Sequence, residues 1–178
     1  MIDLANTECL LKWNEVSVAL HIASLRHTES LRKSLKDNHG YHGRDLHDNF
    51  YGVMGEMVFA KISGQYFPMT VNNFKGADIG EKWQVRTVGS NKNRSLIIRY
   101  ADPDHHYYAL IEVERKNDTY KRTNATYIGN LYKGILHGWI QGKEGKRARY
   151  LTDFGYKDRP KVFSVPYSEL KPPSWYPL

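Results

Sequence analysis

The sequence predicts an α+β fold, a mixed and largely antiparallel β-sheet flanked by helices. Two long stretches near the start place apolar residues at helical spacing. From residue 65 onward, short β-prone runs alternate with turn-forming segments. Helices first and strands afterwards segregates the helices from the sheet, instead of alternating the two as a parallel α/β fold does. The 178 residues suit a single domain, 1–178. It divides into an N-terminal helix and loop (1–45), a core (46–115) and C-terminal strands with a tail (116–178).

The first helix is expected from Thr7, a plausible N-cap, to about Lys36. Leu10, Trp13, Val16, Leu20 and Ala23 form its apolar stripe. Residues 37 to 47 are polar, contain glycine and are rich in histidine, and read as loop. A second helix is expected from about Leu46 to Ser63, with Tyr51, Met54, Val58 and Ile62 on one stripe and Gly64 as its stop. Gly52 and Gly55 each cost that helix about 1 kcal/mol. Both therefore point to close approach of the helix backbone to a sheet.

Strands are expected at 65–71, 77–79, 83–88, 95–100, 107–114, 119–122, 135–141 and 162–165. Gly80-Glu81-Lys82 forms a turn between the second and third of these. Residues 142–155 are basic and fit neither pattern. Residues 167–170 read as a helical turn before a proline-rich end.

Lys and Arg number 26 against 19 Asp and Glu, a net charge of +7, with 13 tyrosines and four tryptophans. A basic, aromatic-rich chain suits a polyanionic partner, nucleic acid above all. A single cysteine excludes an internal disulfide and any zinc site built on several thiolates. With no signal-peptide pattern and no apolar run long enough to span a bilayer, the expectation is a reducing cytoplasm and no membrane partner.

The chemistry concentrates in Asp78 and Trp83-Gln84-Val85-Arg86. A turn centred on Glu81 places Asp78 opposite Gln84, with Cβ atoms roughly 5 Å apart on one sheet face. Arg86 joins them through the two-residue period. Glu56, on the glycine-bearing helix, can reach Asp78 if that helix lies close. Two carboxylates and a carbonyl oxygen make a hard-oxygen site of the kind Mg²⁺ or Mn²⁺ prefers.

Gly55-Glu56 on a helix, Asp78 at a strand and Gln84-Val85-Arg86 on the next resemble the PD-(D/E)xK nuclease superfamily, in particular its small phage and bacterial types. The resemblance covers about residues 46 to 115. It implies a restriction-endonuclease-like core and metal-dependent hydrolysis of DNA phosphodiesters, in the host cytoplasm if the chain is phage-encoded. Glu56, Asp78, Gln84 and the Val85 carbonyl would hold the metal, and Arg86 would stand at the usual lysine. Arginine stays protonated and cannot act as a base, but it can hold a phosphate oxygen. Lys61 or Lys82 could supply the missing lysine.

Lys61, Lys82, Lys92, Arg94, Arg99, Lys143, Lys146 and Arg147, with Arg149 beside the last, are candidate phosphate contacts. The alternative function is a nuclease-like nucleic-acid-binding or phage accessory protein without catalysis. A third is a basic structural domain that touches no nucleic acid.

Two further patterns carry less. Asp104 and Glu114-Arg115-Lys116 spell the motif literally, but one strand over 107–114 would hold the two acids roughly 30 Å apart. His39, His42, His47 and Asn49 loosely echo ββα-metal nucleases, yet a long helix stands where those need a hairpin.

Overall fold

The computed structural model describes residues 7–33, 45–71, 76–90, 95–116, 130–155 and 160–175. In chain order the elements are β1 (Glu8–Lys12), α1 (Trp13–Arg32), α2 (Asp45–Ser63), β2 (Trp83–Gly89), β3 (Ser95–Ile98), β4 (Tyr107–Arg115), β5 (Asn130–Gln141), α3 (Gly142–Gly145), β6 (Leu151–Thr152) and β7 (Val162–Pro166). Short 3₁₀ turns follow at Ala148–Tyr150, Tyr167–Glu169 and Pro173–Trp175. Among these residues the fold is α+β, with a mixed, largely antiparallel strand arrangement and helices packed on it.

The strands form two sheets. Sheet A has the order β1-β5-β4-β2, and sheet B the order β3-β7-β6. All pairs are antiparallel except β2 with β4. That exception has a topological cause. The chain leaves sheet A at the end of β2, adds β3 to sheet B, and returns to sheet A in the original direction as β4. A parallel pair needs such a crossover.

Sheet A therefore has a core on each face. Val85, Ala109, Ile111 and Trp139 pack with α1 and α2. Tyr108, Leu110 and Ile140 alternate to the other face and pack with Leu96, Phe163 and Val165 of sheet B. Every residue from Val53 to Ala60 is buried. A helix apolar on all sides is a central one, and α2 lies between α1 and sheet A.

Several sequence expectations change. Residues 8–12 form a strand where a helix was expected, because β5 offers its outer edge and Leu11 buries completely against the core. The helix starts at Trp13, and Glu15 Oε2 accepts the Lys12 N–H at 2.7 Å, a capping role assigned to Thr7 by the sequence. Its buried stripe is Ala19, Ile22 and Ala23, while Trp13 and Leu20 face solvent.

Residues 65–71 form no strand. Residues 77–79 contribute only the bridge Ile79↔Trp83. Gly64, with φ 67°, ends α2 as expected. Residues 142–155 resolve into α3, a 3₁₀ turn and β6. The expected strand at 119–122 and the His39 and His42 positions lie outside the described residues.

Candidate functional site

Gly55 sets the position of α2. A Cβ there would stand 1.9 Å from Thr87 Oγ1 of β2. From the sheet side, a Cβ on Gly134 of β5 would stand 2.3 Å from the Val58 side chain. One glycine on the helix and one on the sheet let the two surfaces meet. Gly52, expected to share this task, has nothing within 4 Å of its Cβ position. The close approach carries the next residue, Glu56, into the interior at 6% exposure.

There Glu56 meets Arg26 of α1. Arg26 Nη1 donates to Glu56 Oε1 and Nη2 to Oε2, both at 2.7 Å, while Nε donates to the Thr70 carbonyl at 2.9 Å. Burial pushes the Glu56 carboxyl upward from its ordinary value, Arg26 pulls it back, and the nearby charge of Asp78 adds to the rise. Glu56 and Asp78 are thus electrostatic neighbours, as the sequence expected.

Asp78 is placed by the turn. Its N–H donates to the Trp83 carbonyl at 2.8 Å, and the Ile79↔Trp83 bridge centres the turn on Glu81. The bridge stands next to the expected Asp78–Gln84 rung, and both Arg86 and Arg26 act on the Asp78 carboxylate. That carboxylate curls onto the open edge of β2, where Oδ2 accepts the Val85 N–H at 2.7 Å. Burial raises this carboxyl above its ordinary value, opposed by the Val85 hydrogen bond, Arg86 and Arg26.

Gln84 and Arg86 alternate with Val85 and point to the face of sheet A away from the helices. Gln84 Nε2 donates to the Gly76 carbonyl at 2.9 Å, and its Oε1 accepts from Arg86 Nη1 at 3.4 Å. Arg86 Nε donates to the Ile97 carbonyl at 3.1 Å, and Nη2 to Asp102 Oδ2 at 2.8 Å. Its guanidinium lies over the Tyr108 ring, 5.3 Å from the centroid. Asp102 Oδ2 also accepts the Arg99 N–H at 2.9 Å.

The acid–amide set has the right chemistry for Mg²⁺ or Mn²⁺ but is already engaged. Both Glu56 oxygens face the Arg26 guanidinium, the Gln84 carbonyl faces Arg86, and Asp78 Oδ2 takes a backbone N–H. No group of three His, Cys, Asp or Glu among the described residues is arranged to hold a metal. As arranged, these residues do not fit a divalent cation.

The basic candidates divide sharply. Lys61 donates to the Leu10 carbonyl and pairs with Glu15, which commits it to the α1–α2 packing and away from the site. Lys146 donates to the Tyr100 and Asp102 carbonyls and pairs with Asp104, holding the 100–104 loop against α3. Arg149 pairs with Glu169. Lys82, Arg99, Lys143 and Arg147 are exposed, and Lys92 and Arg94 lie outside the described residues.

Two of the exposed cations share one rim. The Lys82 carbonyl accepts the Tyr107 N–H at 2.8 Å, the His106 carbonyl accepts the Gly142 N–H at 2.9 Å, and the Asp104 carbonyl accepts the Lys143 N–H at 3.0 Å. These contacts bring the backbone of Lys82, His105-His106 and Lys143 together at one end of sheet A. Within the rim His106 is 6% exposed. Burial lowers its imidazole below the ordinary value, and His105 adds to that.

Arg26, Asp102 and Tyr108 are site residues that sequence reasoning missed. Arg26 did leave a signal: it continues the spacing Ala19, Ile22, Ala23, which puts a cation on a buried stripe. Asp102 reads as turn chemistry beside Pro103, and only the fold brings it to Arg86. Asp104 and Glu114 stand at opposite ends of β4, and Asp104 is occupied by Lys146. His47 is an exposed residue of α2 beside Asp48 and Tyr51.

Comparison with known proteins finds no matching family model, no matching curated protein and no matching solved structure. No helix among the described residues is long and apolar enough to cross a membrane.

Proposed function

We propose that the chain is a nuclease-like nucleic-acid-binding protein with a restriction-endonuclease-like core, and that it grips the phosphodiester backbone of DNA. The observation that carries this reading is the rim. Lys82 and Lys143 are exposed on one end of sheet A, and Arg147 is exposed in the segment after α3. Arg86 of β2 adds a guanidinium that lies over the Tyr108 ring and bonds Asp102. Exposed cations would contact phosphates without reading sequence, and Arg86, whose Nε, Nη1 and Nη2 already donate to Ile97, Gln84 and Asp102, would add its positive charge. The net charge of +7 supports the same partner.

Fluorescence anisotropy of labelled duplex and single-stranded DNA across a salt series tests it. The expected result is binding that weakens steeply with salt, survives chelator and is reduced in Arg86→Ala. Absence of salt-dependent binding by folded wild-type protein would end the reading.

The second reading is the metal-dependent nuclease, with Mg²⁺ or Mn²⁺ as cofactor and Glu56, Asp78, Gln84 and the Val85 carbonyl as its ligands. The adjacency of Glu56 and Asp78 favours it. It needs Arg26 to leave Glu56. Metal-dependent cleavage that disappears in Asp78→Ala would promote this reading over the first.

A further inference from the structure

We infer that Arg26 is the resident cation of the Glu56–Asp78 pair and closes it to divalent metal. This inference rests on the nuclease-like reading of those two carboxylates. It adds what that reading does not contain, a named residue from outside the motif that decides whether metal enters.

The geometry supports a committed cation. Arg26 uses three of its N–H groups on fixed acceptors: one on each oxygen of Glu56 at 2.7 Å, and one on the Thr70 carbonyl at 2.9 Å. The side chains of Arg26 and Glu56 are only 15% and 8% exposed. The fork-to-fork pair takes one lone pair of each Glu56 oxygen and sets a fixed positive charge where a divalent ion would have to approach. The Thr70 contact anchors the guanidinium from behind, so its position does not depend on Glu56 alone. Arg26 also lies within electrostatic reach of Asp78. One guanidinium therefore offsets part of the charge of both carboxylates, the role a divalent ion would otherwise take.

Arg26 comes from α1, whereas Glu56 and Asp78 come from α2 and the turn before β2. Closure is thus a property of how α1 packs on α2. Substituting Arg26 removes the resident charge, frees the Glu56 oxygens and leaves two carboxylates that act on each other's charge, with the hard oxygen donors that Mg²⁺ or Mn²⁺ takes.

The test is Mn²⁺ binding, followed by the paramagnetic resonance of free Mn²⁺. It uses the full chain as wild type, Arg26→Gln, Arg26→Lys, and Arg26→Gln with Asp78→Asn. Wild type is expected to show no saturable Mn²⁺ site dependent on Asp78. Arg26→Gln is expected to gain one site, roughly tenfold or more tighter than any wild-type binding. The added Asp78→Asn is expected to remove it.

Circular dichroism checks folding of each variant. Should Arg26→Gln fail to fold, Arg26→Lys decides. Its single ammonium cannot cover both Glu56 oxygens, so it is expected to bind Mn²⁺ measurably better than wild type. Two results would overturn the inference. One is an Asp78-dependent Mn²⁺ site in wild type; the other is a folded Arg26 variant that gains none. DNA anisotropy on the same samples keeps the two questions apart. Loss of wild-type DNA binding would remove the nucleic-acid reading, while the Mn²⁺ result would still report on Arg26.

Discussion

The two flanks of β2 carry the same pair of chemical groups under different conditions. On the helix side, Arg26 and Glu56 form a two-pronged pair sealed between α1, α2 and the strand. On the sheet B side, Arg86 reaches Asp102 through one N–H, with the two side chains 23% and 15% exposed. The first pair is the more buried, with the Glu56 side chain at 8% exposure, and cannot lose its partner cheaply. The second pair is more exposed, and Arg86 spreads its donors over Ile97, Gln84 and Asp102. The contrast teaches that motif position alone does not decide a residue's task. Glu56 sits where the resemblance puts a metal ligand, yet the fold gives it an internal cation.

Removing one member of the sealed pair should have the largest effect. Arg26→Ala leaves a carboxylate buried without its partner and is expected to cost about 3–5 kcal/mol. Urea denaturation would measure it. Arg86→Ala, at the more exposed pair, is expected to cost less, about 1–2 kcal/mol. Equal losses would erase the distinction between the two flanks.

The helix–strand contact beneath Glu56 gives the next largest effect. Gly55→Ala is expected to destabilise by about 1–3 kcal/mol through overpacking against Thr87. Gly52→Ala, at a position open to solvent, is expected to stabilise by up to about 1 kcal/mol through helix propensity. Thermal melts of both variants check this. Matching signs would show that close approach is not what selects glycine at position 55.

Asp78 gives a smaller effect with a definite pH dependence. Its carboxyl is raised in the folded state, so the folded chain holds that proton over a range where the unfolded chain has released it. Folding stability from this group therefore falls as pH rises from the ordinary aspartate value through the raised one. Asp78→Asn can still accept the Val85 N–H. It is expected to stabilise the protein by about 1 kcal/mol at neutral pH and to do nothing at pH values below the ordinary aspartate range. Melting curves at several pH values would show whether the gain grows with pH.

The smallest expected effect is on the rim. Lys143→Ala should leave the melting temperature unchanged and lower the slope of log K against log salt by about 0.9 for duplex DNA. An unchanged slope with intact affinity would take Lys143 out of the interface.

Much of the fold was legible because the signals were local. The α2 periodicity, its stop at Gly64, the β-prone runs of β4, β5 and β7, and the turn around Glu81 each depend on neighbours a few residues apart. Glu56 near Asp78 was legible too, since it follows from Gly55 and the order of elements. The start of the chain was not. Glu8 to Lys12 suit a helix turn or a strand about equally, and the choice fell to the exposed edge of β5, about 120 residues away in sequence.

Pairing was hidden for the same reason. Two strands joined by a turn look alike in sequence whether they pair with each other or with distant partners. Trp83 to Gly89 turned out to pair with β4, in parallel.

Composition, helix periodicity and turn chemistry by themselves determined the α+β class, the basic character and the Asp78–Lys82 turn into Trp83. These are properties of short windows and of sums over the chain. Which cation meets which carboxylate was decided only by tertiary structure. Arg26 lies 30 residues before Glu56 and Asp102 lies 16 after Arg86. Such pairs form when packing of α1 on α2, and of the 99–106 loop on β2, removes water from one and leaves it around the other. No local pattern encodes that difference in solvation, and it separates the more buried ion pair from the more exposed one.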